Sequence, residues 1–157
     1  MKVPKFYLET SVFNFVFADD APDKKADTLK LFQEIKEGKY QPYTSAYVTE
    51  ELDLAPSEKR EKMYQLIADY NIRILQKTEE AKQLAGIYVK EKIIPEKYET
   101  DALHISVATV NELDFIVSWN FKHIVKRKTV IMTEAVNIKY DYKKIGIYSP
   151  TEVIEYD

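Results

Sequence analysis

The chain contains no cysteine, which excludes disulfide frameworks, thiol nucleophiles, cysteine-ligated zinc and cysteine-held iron–sulfur clusters. Two histidines leave little for a histidine-rich site, so any bound metal is expected to be a hard cation held by oxygen. Only three glycines occur, Gly38, Gly86 and Gly146, each too far from the others for GxGxxG or GxxxxGK[ST]. Glycine-rich phosphate cradles are thereby removed. No apolar run approaches the roughly 18 residues of a membrane span, and the run from Val3 to Leu8 ends at Glu9. The expectation is a cytoplasmic protein without membrane contact.

What is present is a chain of 157 residues, 45% apolar and 31% charged, which predicts a single domain over 1–157. A chain of this size buries roughly 68 to 70% of its unfolded surface, so an apolar core suffices to hold it. The net charge of -3 is unevenly spread: residues 1–119 carry 16 Lys+Arg against 21 Asp+Glu, whereas 120–145 carry 7 against 2. Lys122, Lys126, Arg127, Lys128, Lys139, Lys143 and Lys144 make up that basic segment, which suits either a solvated face or contact with phosphate.

Apolar periodicity predicts strands alternating with helices. Strands are expected at Val3 to Leu8, Gln41 to Thr44, Asn71 to Leu75, Phe115 to Trp119, near Thr129 to Met132 and at Ile145 to Tyr148. Helices are expected over Lys24 to Lys36 with Gly38 as its stop, after a Ser45 cap, over Ser57 to Tyr70, from Thr78 to about Glu91, and from about Tyr98 to Leu113. Pro150 to Val153 reads as a final cap and tail. Such alternation favours an α/β fold with a parallel sheet covered on both faces.

In an open parallel sheet the functional crevice lies beyond the carboxyl ends of the strands. Glu9 follows the first strand, Asn120 follows the Phe115 strand, and Glu51 and Asp101 sit on helices among apolar neighbours. A charge beside a core needs a partner. Each residue also has a plain structural reading: Glu9 or Asp101 near a helix amino end, Asn120 in a turn, Trp119 packed in the core.

Tyr7-Leu8-Glu9-Thr10-Ser11, Ser45 with Glu51-Leu52, Asp101-Ala102-Leu103-His104-Ile105, and Ser118-Trp119-Asn120-Phe121-Lys122-His123 together resemble, in order and spacing, the landmarks of a PIN domain. The resemblance spans nearly the whole chain. It implies a three-layer α/β/α fold with a mainly parallel sheet of about four to five strands, as in other parallel α/β folds, and a Mg²⁺- or Mn²⁺-dependent ribonuclease. It also implies a homodimer, and because many members resemble VapC toxins of toxin-antitoxin pairs, an antitoxin protein is a candidate partner beside RNA.

Carried over by position, Glu9, Glu51, Asp101 and Asn120 match the metal ligands and catalytic residues. Thr10, Ser11, His104, Lys122 and His123 are candidates for supporting those ligands or touching RNA, with a structural hydrogen bond favoured for His104. Glu9 stands where Asp is commonest, and Asn120 keeps a ligating oxygen while losing a charge; the pattern resembles a Glu-first, Trp-Asn-x-x-His subgroup. Two readings stay open: an endoribonuclease in which metal-activated water hydrolyses the phosphodiester, and a PIN-like scaffold that binds RNA or protein without efficient catalysis. Without metal, the carboxylates are expected to raise one another's pKa. A haloacid-dehalogenase-like phosphatase is disfavoured because Glu9 and Ser11 stand where its two aspartates would be.

Overall fold

A computed structural model describes residues 2–155; the ends of the expected 1–157 domain lie outside those residues. Five parallel strands form one sheet in the order β3-β2-β1-β4-β5, flanked by helices. They are β1 (Lys5–Leu8), β2 (Gln41–Ser45), β3 (Arg73–Leu75), β4 (Phe115–Val117) and β5 (Gly146–Tyr148). Strand β1 lies at the centre because it is apolar on both faces: Phe6, Tyr7 and Leu8 are fully buried, as a parallel strand covered on both sides requires.

The register sets Tyr7 beside Tyr43 on one side and Ile116 on the other, with Leu8 beside Val117. From β1 the chain steps outward through β2 to β3, then returns to lay β4 and β5 on β1's other flank. The order therefore reverses between β1 and β4. At such a switch point the connections leave in opposite directions and open a crevice at the carboxyl edge.

The helices are α1 (Thr10–Phe15), α2 (Pro22–Lys36), α3 (Ala46–Leu52), α4 (Ser57–Asp69), α5 (Glu79–Lys90), α6 (Glu99–Val110), α7 (Arg127–Lys139) and α8 (Pro150–Val153). Their ends carry the expected chemistry. Ser45 accepts from the Tyr47 N–H and Thr78 from the Ala81 N–H, satisfying donors that the first turn leaves free. Helix α2 begins at Pro22, two residues before the expected start, because proline lacks only the N–H that a first turn does not use. It is followed by Gly38 at φ 81, a backbone angle that a side chain would strain.

Two expectations are corrected. Residues 129–132, read as a strand, lie within α7. Their β-branched run suggested extended backbone, but the residues that α7 buries, Thr129, Thr133, Val136 and Asn137, recur at helical spacing and are mostly polar. The long helix expected to Leu113 stops at Val110, where Glu112 turns the chain at φ 57 before β4.

Candidate functional site

Glu9 is the first residue beyond β1, and its backbone N–H extends the ladder by donating to the Val117 carbonyl at 3.1 Å. From this extended position its carboxylate caps α1, with Oε2 accepting the Ser11 N–H at 3.2 Å. Oε1 accepts two hydroxyls, Ser11 at 2.6 Å and Ser118 at 2.5 Å. Those hydroxyls are themselves pinned by β4's exit loop: Trp119 N–H donates to Ser11 Oγ and Asn120 N–H to Ser118 Oγ, at 2.8 and 2.9 Å. Glu9 is buried across the β1/β4 crevice and is held by neutral donors, which permits a charge to remain near the core.

Glu51 reaches the same crevice from α3, but its partner is of a different kind. Oε1 accepts the Thr10 hydroxyl at 2.7 Å and faces His104 Nε2 at 2.6 Å. The other imidazole nitrogen, Nδ1, lies 2.7 Å from the Tyr7 hydroxyl, which in turn lies 2.7 Å from Ser45 Oγ. His104, Tyr7 and Ser45 are fully buried. A chain of polar groups thus runs from β2 through the central strand to the crevice.

The electrostatics follow from these contacts. Burial opposes ionisation of Glu51, yet the His104 and Thr10 hydrogen bonds outweigh it and hold the carboxyl below its usual range. Burial likewise opposes a charge on His104, and the carboxylates of Glu51, Glu9 and Asp101 outweigh it to raise the imidazole's pKa. Asp101, in the first turn of α6, goes the other way. Burial, reinforced by the charges of Glu9 and Glu51 and only partly opposed by His104 and Asn120, pushes its pKa up to about 6. Mutual repulsion was expected of the acids; Glu9 and Glu51 exert it on Asp101, whereas at Glu51 the opposing cause is burial, which His104 and Thr10 outweigh.

Glu9, Glu51 and His104 each present a ligand atom within 4.8 Å of the others. Asp101 stands outside that group but interacts with all three of its members. Both His104 nitrogens are engaged, so it orients Glu51 and has no lone pair left to offer. Glu51 Oε2 receives no hydrogen bond from the described residues, and Glu9 Oε2 only the long bond from Ser11. The open donors are therefore carboxylate oxygens, the chemistry that suits a hard divalent cation.

Asn120 lies just beyond β4, where its Oδ1 accepts the His123 N–H at 2.9 Å and so caps the following turn, while its side chain helps to lower the Asp101 pKa against burial. This is the turn role that the sequence allowed. Thr10 and Ser11 bind the two glutamates, whereas Lys122 and His123 lie off the carboxylate cluster, near Tyr98: His123 stacks on that ring at 4.1 Å and the Lys122 ammonium is 5.9 Å from its centroid. Trp119 is 6% exposed, donates to Thr28 Oγ1 at 2.9 Å, and has the Lys24 ammonium over its ring. It is a core residue.

Three members of the network were missed as site residues: Tyr7, Ser45 in its second role, and Ser118. Ser118 stands inside the Ser-Trp-Asn segment, and Tyr7 directly precedes Leu8-Glu9, so proximity to an assigned acid was the available signal. No protein-family model matches the chain, and no curated protein matches it.

Proposed function

We propose that this chain is a PIN-like, Mg²⁺- or Mn²⁺-dependent endoribonuclease that hydrolyses RNA phosphodiester bonds. The observation that carries the reading is the meeting of the Glu9 and Glu51 carboxylates within 4.8 Å at the β1/β4 switch point with oxygens left open, fixed by hydroxyls and an imidazole, and with Asp101 near enough to feel both charges. A cluster of like charges destabilises the fold unless it is used or paired. Here it is only partly paired.

Glu9, Glu51 and Asp101 would hold the cation, and Asn120, whose Oδ1 already accepts the His123 N–H, would stand at the edge of that set. The ion would supply charge compensation at the phosphate and lower the pKa of a coordinated water. Ser11 and Ser118 keep the Glu9 carboxylate in one orientation, and His104 with Thr10 does the same for Glu51. Asp101, whose carboxyl is pushed up to about 6 by burial and by the charges of Glu9 and Glu51, is the acid whose charge a cation would relieve most. In-line attack leaves 5′-phosphate and 3′-hydroxyl ends.

Incubating purified protein with a mixed structured RNA, with Mn²⁺ or with EDTA, tests the reading. Cutting that needs the metal and leaves 5′-phosphates is expected; 2′,3′-cyclic phosphate ends would overturn the mechanism. One feature favours the second reading, a non-catalytic scaffold: Asn120 replaces an acid and serves a turn. Saturating Mn²⁺ distinguishes the two, because binding at about 100 times Kd adds roughly 2.7 kcal/mol of stability and raises the melting temperature by several degrees. No shift would favour the scaffold. The PIN resemblance also carries the proposals of a homodimer and an antitoxin partner, which light scattering and co-purification address.

A further inference from the structure

Beside the carboxylate crevice lies a second concavity of about 580 Å³, and its character is opposite. The end of α5, the loop that follows it, the loop after β4 and the first turn of α7 bring Lys90, Lys92, Lys122, Lys126 and Lys128 to its walls against a single carboxylate, Glu96. None of the five lysines forms a salt bridge among the described residues. In a chain of net charge -3, with acids outnumbering bases, five ammonium groups lie together without an ion-pair partner, one of them, Lys122, over the Tyr98 ring. Like charges held around one hollow repel unless an anion joins them.

His123 lines the same hollow, and its Nε2 is buried with no hydrogen-bond partner. A buried polar atom without a partner costs free energy and calls for an explanation. His123 also ties the hollow to the crevice. His123 donates its backbone N–H to Asn120 Oδ1 and stacks on Tyr98, which stands three residues before Asp101. A strand lying over Asp101 and Asn120 would meet these lysines next.

We infer that this lysine-lined hollow is a phosphate subsite, holding a backbone phosphate of the single RNA strand that occupies the carboxylate crevice. The identity of the ligand as RNA rests on the ribonuclease reading; the preference for phosphate rests on the lysines alone. Lysine binds phosphate as a compact point charge, and several together give affinity without sequence preference.

The test measures binding, not cleavage. A fluorescein-labelled single-stranded decaribonucleotide is titrated with protein in EDTA, across salt concentrations, and the titrations are repeated with inorganic pyrophosphate as ligand and as competitor. The triple variant Lys122→Ala/Lys126→Ala/Lys128→Ala is compared with Lys143→Ala/Lys144→Ala, which removes charge elsewhere, after both are shown to melt as the parent does. The triple variant should lose about tenfold or more in RNA affinity and flatten the slope of log K against log salt by about 0.7, as one lost phosphate contact to a single strand requires. Pyrophosphate should compete in the parent.

Equal losses in both variants would mean a diffuse charge effect and overturn the subsite. Pyrophosphate binding that the triple variant abolishes, with RNA affinity unchanged, would assign the hollow to a small free anion and overturn the RNA assignment. Because no metal is present, absence of metal-dependent cutting would sink the ribonuclease reading while leaving the binding result to stand or fall by itself.

Discussion

Two aspartates, one in the first turn of α6 and one in the link from α6 to β4, lie near opposite ends of the sheet and have met opposite fates. Asp114, at the amino end of β4, accepts the Lys5 N–H at 2.8 Å and the Lys143 ammonium at 2.9 Å. Burial is the largest single influence and opposes its ionisation, but Lys143 and Lys5 together prevail and its pKa is lowered. Asp101, at the carboxyl end, has burial and two glutamates against it, and its pKa rises to about 6. One acid fastens the edge of a sheet; the other is kept at a cost. The difference teaches that an acid's role is read from its partners, since residue type and helix proximity are shared.

The comparison breaks most visibly at Asp101. Asp101→Asn should lower metal-dependent RNA cleavage by about a thousandfold, equivalent to about 4 kcal/mol of transition-state stabilisation. The same change should stabilise the metal-free protein at pH 7 by on the order of 1 kcal/mol, discounted for partial exposure. The sign follows from the raised pKa: the folded protein holds this proton more tightly, so the penalty is absent below 3.8, grows as pH rises, and is complete above about 6. Urea denaturation at pH 4 and pH 7 should therefore show the two proteins diverging upward. Lower stability of the variant at pH 7 would mean that Asp101 is a fastener like Asp114.

His104→Ala sharpens the contrast from within the crevice. It strips partners from the buried Tyr7 hydroxyl and from Glu51 together, and should cost about 2–4 kcal/mol in urea denaturation. The raised imidazole pKa adds stability that is fully present below its ordinary value of about 6.5 and is lost as pH rises through the folded value. The gap between variant and parent should then narrow toward alkaline pH, and a gap independent of pH would show that the imidazole stays neutral.

The smallest effect belongs to the amino edge. Asp114→Asn should cost at most about 1 kcal/mol, since the Asp114 side chain is 40% exposed and such pairs are screened. Its lowered pKa makes this contribution present above the ordinary carboxylate range and lost as pH falls through the folded value. Lys143→Ala in that background should add nothing, and RNA cleavage should be unchanged. A loss of cleavage would join the two ends of the sheet in one function.

Much of the fold was legible because its signals are local. Phe6-Tyr7-Leu8 announces a buried strand, and Ser45 and Thr78 announce helix starts, whatever the rest of the chain does. Helix α7 was not legible: its inward face is built of Thr129, Thr133 and Asn137, and the Asn137 side chain earns burial by accepting the Tyr88 hydroxyl at 2.5 Å, a partner 49 positions away. The acids of the candidate site could be chosen from strand ends and apolar stripes. The groups that hold them could not, because Ser118 acquires its partner Glu9 only when β4 docks beside β1.

The Ser45, Tyr7, His104 and Glu51 chain has a direction. An ionised Glu51 can only accept, so His104 Nε2 must carry a hydrogen toward it. While the imidazole is neutral, Nδ1 is an acceptor, the Tyr7 hydroxyl points its hydrogen at Nδ1, and the Ser45 hydroxyl points at Tyr7. A second proton on the ring occupies Nδ1 and turns both hydroxyls around, so that Tyr7 donates to Ser45. Ser45 already accepts the Tyr47 N–H, and its own hydrogen must then find another acceptor. The tautomer is thus set at the crevice and felt at Ser45 on the neighbouring strand, and a single proton arriving at the imidazole reverses the polarity of a line that crosses the core.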